Sequence, residues 1–71
     1  MPSVTSLFKI RSPLGGQEIE LQQVDLDDGA MPLVRTRIRE RSRFTVFDID
    51  PVTAEAWALA LLEWAQRQPR S

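Results

Sequence analysis

The chain has 71 residues and a mass of 8.1 kDa, so it holds one small domain. Ten acidic and nine basic residues leave a net charge of −1, and there is no cysteine and no histidine. These absences exclude a disulfide framework, a thiolate nucleophile, and both the commonest metal ligand and the usual general base near neutral pH. We therefore expect no metal, no cofactor and no catalytic residue.

Alternation of apolar and polar residues predicts four strands, over residues 6–11, 17–26, 33–40 and 43–49. The stretches Ser12-Pro13-Leu14-Gly15-Gly16 and Asp27-Asp28-Gly29 between them are typical of turns. In the second strand the apolar residues change parity after Leu21, and a bulge at Gln22-Gln23 would return Val24 to the core side.

The fourth strand has apolar residues at both odd and even positions. Phe44 and Val46 share one face, whereas Phe47 and Ile49 share the other. Either this strand also contains a bulge, or both of its faces are apolar and something covers the second side of the sheet.

The last third of the chain predicts a helix over residues 52–67. Asp50 is a good N-cap, Pro51 suits the first helical position, and Pro69 ends the segment. The expected fold is α+β: a four-stranded antiparallel sheet followed by one C-terminal helix packed on one face. We expect a single domain over residues 6–67, with flexible ends at 1–5 and 68–71.

The helix has two apolar sides. A broad stripe should pack on the sheet: Ala54, Trp57, Ala58, Leu61, Leu62, Trp64 and Ala65. A second group, Val52, Ala56 and Leu59, lies elsewhere on the helix and, with Phe47 and Ile49, is the predicted partner interface. A core this small gives only marginal stability unless a disulfide, a structural metal or a partner chain adds to it. A homodimer or a complex with a protein partner is therefore expected.

Arginines recur at every second position of the third strand, which places Arg35, Arg37 and Arg39 on one face about 7 Å apart. Lys9 and Arg11 extend this patch. Arginine binds phosphate well, so the ladder indicates a surface for single-stranded nucleic acid. Such sites add aromatic rings, and Phe47 is the candidate if it faces outward. Glu18 and Glu20 form an acidic ladder that would neutralise the arginines if the second and third strands are neighbours.

The layout of the chain is similar to that of the positive-cofactor-four class of transcriptional coactivators. The shared features are four strands followed by a helix, a basic strand, and a proline-led final helix that contains tryptophan. This resemblance implies a dimer that binds single-stranded DNA on a curved sheet. The acidic charge balance and the acidic second strand depart from the pattern of that class.

The sequence thus predicts a small non-catalytic accessory or interaction protein, either a homodimer or a subunit that binds a protein partner. The alternative is a single-stranded nucleic-acid binder that uses the arginine ladder. An acid–base role for Asp48 and Asp50 is the third hypothesis, but Asp50 is more simply a helix cap. The opening residues lack the apolar stretch of a signal peptide, and no run reaches the ~20 residues of a membrane helix, so a cytoplasmic location is expected.

Overall fold

The computed structural model describes residues 3–26 and 29–69, and within these ranges it has four strands and one helix. The elements are β1 (Ser3–Arg11), β2 (Glu18–Asp25), β3 (Leu33–Glu40), β4 (Arg43–Ile49) and α1 (Pro51–Gln66). The predicted α+β architecture, four antiparallel strands and then one helix, is confirmed.

The strands form one antiparallel sheet in the order β1-β2-β3-β4. In this arrangement the β1–β2 and β3–β4 turns lie at one end of the sheet, which we call the hairpin end. The β2–β3 connection and the start of α1 lie at the other end. β1 begins at Ser3, opposite Asp25, and not at the predicted Ser6. Residues 3–5, predicted to belong to a flexible start, therefore lie in β1, while residues 1, 2, 70 and 71 lie outside the described ranges.

The break in alternation lies in β1 and not in β2. β2 and β3 pair without interruption from Glu18 opposite Arg39 to Val24 opposite Leu33, whereas the β1–β2 register shifts between Ser6 and Phe8. The predicted bulge at Gln22-Gln23 is therefore wrong. It assumed that every apolar residue of β2 reaches one core, but Val24 is buried on the opposite face, between its strand partners Val4 and Leu33.

The cross-strand register gives the sheet two chemically different faces. The face beneath the helix, the groove face, carries Phe8, Ile10, Ile19, Leu21, Val34, Thr36, Ile38, Phe47 and Ile49. The other, the arginine face, carries Lys9, Arg11, Glu18, Glu20, Arg35, Arg37, Arg39, Phe44, Val46 and Asp48. β4 pairs with β3 at a constant register, so it is apolar on both faces and has no bulge.

Asp50 begins the helix as predicted. Its carboxylate accepts hydrogen bonds from the backbone N–H groups of Val52 at 3.1 Å and Thr53 at 3.2 Å, and Pro51 takes the first helical position. The Thr53 hydroxyl also donates to this carboxylate. Two of the helix's unpaired N–H groups are thereby satisfied. This corner turns the chain back so that α1 lies over β3, with the ring of Trp57 5.8 Å from that of Phe47.

Thr36 lies on β3 beneath the helix and is 1% exposed. Its Oγ1 atom is buried and has no hydrogen-bond partner among the described residues. A buried hydroxyl without a partner costs free energy, because it has lost its hydrogen bonds to water. The best-packed point of the groove face therefore contains a destabilising polar atom.

Replacing Asp50 should show how far the cap fixes the helix. Asp50→Ala should lower the thermal unfolding midpoint by about 5 °C, whereas Asp50→Ser, another good N-cap, should retain most of the stability. Far-UV circular dichroism during heating measures both. Equal midpoints for the alanine and wild-type chains would contradict the capping role.

Replacing Thr36 tests the unpaired hydroxyl. Thr36→Val keeps the shape and should raise the free energy of unfolding by about 1 kcal/mol in urea titrations. Thr45→Val, on the same face but exposed, is the control and should change it little. A loss of stability in Thr36→Val would mean that the hydroxyl has a hydrogen-bond partner in the native protein.

Candidate functional site

An apolar groove runs between α1 and the groove face. It has a volume of 420 Å³ and is walled on the helix side by Ala54, Trp57, Ala58 and Leu61. Its floor comes from all four strands: Phe8, Ile19, Leu21, Val34, Thr36, Ile38 and Ile49. The helix residues are spaced i, i+3, i+4 and i+7, so they form one stripe along α1. This is the stripe predicted to pack on the sheet.

The stripe faces the sheet without being covered by it. Leu61 is 54% exposed and Trp64 is 59% exposed, and Phe8 and Ile10 on the sheet are each 50% exposed. Among the described residues, Val24 is the only buried hydrophobic side chain, and it lies on the opposite face. One copy of the chain therefore has no hydrophobic core between its helix and its sheet.

The overall dimensions agree with an unfilled groove. The accessible surface is 5,919 Å², whereas a compact monomer of this mass has about 4,500 Å². The radius of gyration is 14.2 Å, against about 11 Å for a compact domain of this length. Each chain thus exposes about 1,400 Å² more surface than a self-sufficient domain would.

The structure divides the five predicted interface residues between two surfaces. Phe47, in contact with Trp57, and Ile49 lie on the groove face. The remaining three, Val52, Ala56 and Leu59, are exposed on the side of α1 that points away from the groove. The five predicted residues therefore do not form one patch, because the helix lies between the two groups.

On the arginine face, two arginines of the ladder, Arg35 and Arg37, make ion pairs. Arg35 donates two hydrogen bonds to Asp48, from Nε to Oδ1 at 2.8 Å and from Nη2 to Oδ2 at 3.1 Å. This contact lowers the pKa of Asp48 and raises the pKa of Arg35. A bidentate pair holds both groups in a fixed geometry, so Arg35 is already committed to a partner within the chain.

Glu20 is the acidic centre of this face and is buried by its neighbours. It accepts hydrogen bonds from Ser6 Oγ at 2.9 Å and Gln22 Nε2 at 3.3 Å, and Arg37 Nη1 lies 3.7 Å from its Oε1 atom. The hydrogen bond from Ser6 lowers the pKa of Glu20 most, and the charges of Lys9 and Arg37 lower it further. The acidic and basic ladders are neighbours, since β2 lies beside β3 with Glu18 opposite Arg39 and Glu20 opposite Arg37.

The aromatic ring on the arginine face is Phe44. Its centre lies 4.7 Å from the guanidinium carbon of Arg37, a cation–π contact. Phe47, the predicted candidate, lies on the groove face instead, because β4 has a constant register and residues 44 and 47 have opposite parity. The alternation of β4 already indicated that Phe44 and Val46 share a face, but it could not say which face carries the arginines.

The other basic residues of the predicted nucleic-acid patch differ from Arg35 and Arg37 in their contacts. Lys9 lies opposite Glu20, while Arg11 and Arg39 both lie opposite Glu18 in register. Within the described part of the chain, Arg11 and Arg39 make no ion pair shorter than 4 Å. The structure therefore separates a neutralised centre from freer arginines at the hairpin end.

The two carboxylates at the start of the helix have different partners within the chain. Asp48 is bound by Arg35 on the arginine face, and Asp50 caps α1. Hydrogen bonds from Thr53 lower the pKa of Asp50. No group of three acidic residues that could hold a metal ion occurs in residues 3–26 and 29–69.

No helix within the described ranges is long and apolar enough to cross a membrane.

The ion pairs of the arginine face predict an acid-sensitive stability. The pKa values of Glu20 and Asp48 are lowered in the folded chain from ordinary values of 4.5 and 3.8. Their stabilisation is complete above those ordinary values and is lost as the pH falls through the lowered ones. The thermal midpoint should therefore fall as the pH drops below about 4.5.

The variant Asp48→Asn isolates one of these carboxylates. It should be less stable than wild type at pH 7 and should lose less stability on acidification, because one of the titrating groups is gone. Melting curves at a series of pH values measure this difference. An acid profile parallel to that of wild type would show that Asp48 contributes nothing to the pH dependence.

Comparison with known proteins gives a family. The model of a family of unknown function, DUF6967, matches residues 1–67, and the chain belongs to this family. No curated protein and no solved structure matches the chain.

Proposed function

We propose that this family member is a non-catalytic interaction protein, and that it works as a homodimer in which a second copy covers the groove of the first. The observation that carries the proposal is the uncovered groove face. Apolar residues of the sheet and the helix face each other across the groove and leave a volume of 420 Å³ unfilled. Exposed apolar surface of this extent is typical of a protein–protein interface.

The excess surface has the size of a permanent interface. Two copies that each buried about 1,400 Å² would remove about 2,800 Å² in total from water, within the range of obligate homodimers. Transient contacts and crystal contacts are generally smaller. The area therefore favours a partner that stays bound.

A second copy is the occupant because the chain is complementary to itself. Each copy offers a groove and also exposed apolar side chains on its helix: Leu61 of the groove wall, Leu62 and Trp64 are each more than half exposed. Under two-fold symmetry the same patch is used on both subunits. The helix surface of each copy can then enter the groove of the other, and both are buried at once.

Size also favours an oligomer. Chains shorter than about 70–80 residues gain little stability from one core and commonly add a disulfide, a structural metal or a partner chain. This chain has neither cysteine nor histidine. Association is the remaining means, and it accounts for the apolar groove directly.

A non-catalytic role fits the charged residues. Asp48 and Asp50, the carboxylates considered for acid–base chemistry, are both held by structural partners. The cytoplasm remains the proposed compartment, because a chain without cysteine has no need of an oxidising one.

Two variants on opposite sides of α1 test the dimer. Leu61 lines the groove and is 54% exposed, while Leu59 points away from it and is 58% exposed. In a single copy the two positions tolerate glutamate equally. In the proposed dimer, Leu61→Glu buries a charge, which should prevent association, whereas Leu59→Glu leaves the charge in water.

Light scattering after size-exclusion chromatography should give twice 8.1 kDa for wild type and Leu59→Glu. Leu61→Glu should give the single-chain mass, with reduced circular dichroism if the lone chain unfolds. Wild-type mass and stability in Leu61→Glu would contradict the groove interface. Loss of the dimer in Leu59→Glu alone would instead assign the interface to Val52, Ala56 and Leu59.

A further inference from the structure

Four arginines gather at the hairpin end of the sheet around an open cavity of 660 Å³. These hairpin-end arginines are Arg11 at the end of β1, Arg39 near the end of β3, Arg41 in the β3–β4 turn and Arg43 at the start of β4. We propose that they bind the phosphates of single-stranded nucleic acid. The proposal does not depend on the dimer, because the cavity and the apolar groove share no lining residue.

The charges here differ from those in the middle of the sheet. Arg35 and Arg37 are paired with Asp48 and Glu20. In the described ranges, none of the hairpin-end arginines has a carboxylate oxygen within 4 Å. Their guanidinium groups are therefore available to an external anion.

Two carboxylates lie near this cluster. Glu18 lies opposite both Arg11 and Arg39 in register, and Glu40 lies opposite Arg43. The Glu40 carboxylate accepts a hydrogen bond from Gln17 Nε2 at 3.0 Å. Four positive charges against two negative ones leave the hairpin end basic, although the chain as a whole has a net charge of −1.

Arg41 occupies a position that favours glycine. Its φ is +57°, in the region that L-residues rarely adopt, and it is the only described non-glycine residue with positive φ. Arg41 and Ser42 are the two central residues of a hairpin closed by Glu40 and Arg43, and glycine is common in such turns. Backbone strain of this kind points to a role for the side chain beyond the turn.

The chemistry of the cluster favours a nucleic-acid strand as the ligand. The planar guanidinium fork matches phosphate oxygens, and all four cations are arginine. Phe44, the strand partner of Arg39 on the same face, is 51% exposed and offers a ring on which a base can stack. An acidic peptide would use the charges but not the ring.

The test is an anisotropy titration of a labelled oligothymidine of about eight nucleotides, at about 50 mM and about 200 mM salt. Wild type should bind at low salt and weaken as salt rises, with a slope near −0.7 for each phosphate contacted. Arg43→Gln should bind several-fold more weakly and flatten the slope by about 0.7. Arg67→Gln, which removes the same charge from the exposed end of α1, should bind as wild type does.

Two further variants separate binding from folding. Arg41→Gly should melt at the same or a higher temperature, because glycine relieves the positive φ, and should still bind more weakly. Phe44→Leu keeps an apolar side chain but removes the ring, and should lose several-fold in affinity.

The proposal is overturned if the wild-type chain does not bind at low salt, or if Arg43→Gln and Arg67→Gln weaken binding equally. It is also overturned if a polyglutamate peptide of equal charge displaces the oligonucleotide, since the site would then be one for acidic peptides. The mass of each variant is measured in parallel. A dimer that does not bind rejects this site alone, and a binding monomer rejects the dimer alone.

Discussion

Everything in this structure depends on an apolar sheet face that its own helix does not cover. α1 is anchored at its start by Asp50 and lies over β3, where Thr36 is buried. Beyond that contact, Phe8 and Ile10 on the sheet and Leu61 on the helix remain about half in water. The burial of such side chains is the main favourable term in folding. We therefore propose that a second copy of the chain completes the fold by filling the groove.

The opposite face of the sheet shows why association would use the groove side. Cross-strand pairs, Arg35 with Asp48 and Arg37 with Glu20, place charges on the arginine face. Such pairs are worth little individually. Their greater effect is to make burial of this face costly, so the sheet has one side suited to water and one suited to another polypeptide.

Much of this arrangement follows from the sequence. The four strands, the proline-led helix, the two charged ladders and the apolar residues at both odd and even positions of β4 are all visible in the sequence. The position of the bulge is not visible in the sequence. The pattern is equally consistent with Val24 in the core after a register slip and with Val24 buried on the other face. Only the pairing of β1, with its shift between Ser6 and Phe8, decides between them.

The candidate sites were harder to predict for a related reason. Residue spacing along α1 identifies a stripe with Trp57 and Leu61, but periodicity cannot tell how much of that stripe a sheet of this width will cover. Likewise, the period-two arginines gave the ladder, while strand pairing alone distinguishes Arg35, held by Asp48, from Arg39 and Arg43 at the hairpin end. Long-range register is a property of the folded sheet, and local patterns do not contain it.

The most direct test of the account is the thermal midpoint of the wild-type chain measured over a hundredfold range of concentration. If folding and dimer formation are one process, the midpoint rises with concentration, because each hundredfold increase stabilises a dimer by about 2.7 kcal/mol. A midpoint independent of concentration, together with a folded species of 8.1 kDa, would contradict it. The groove would then be an open feature of a stable monomer.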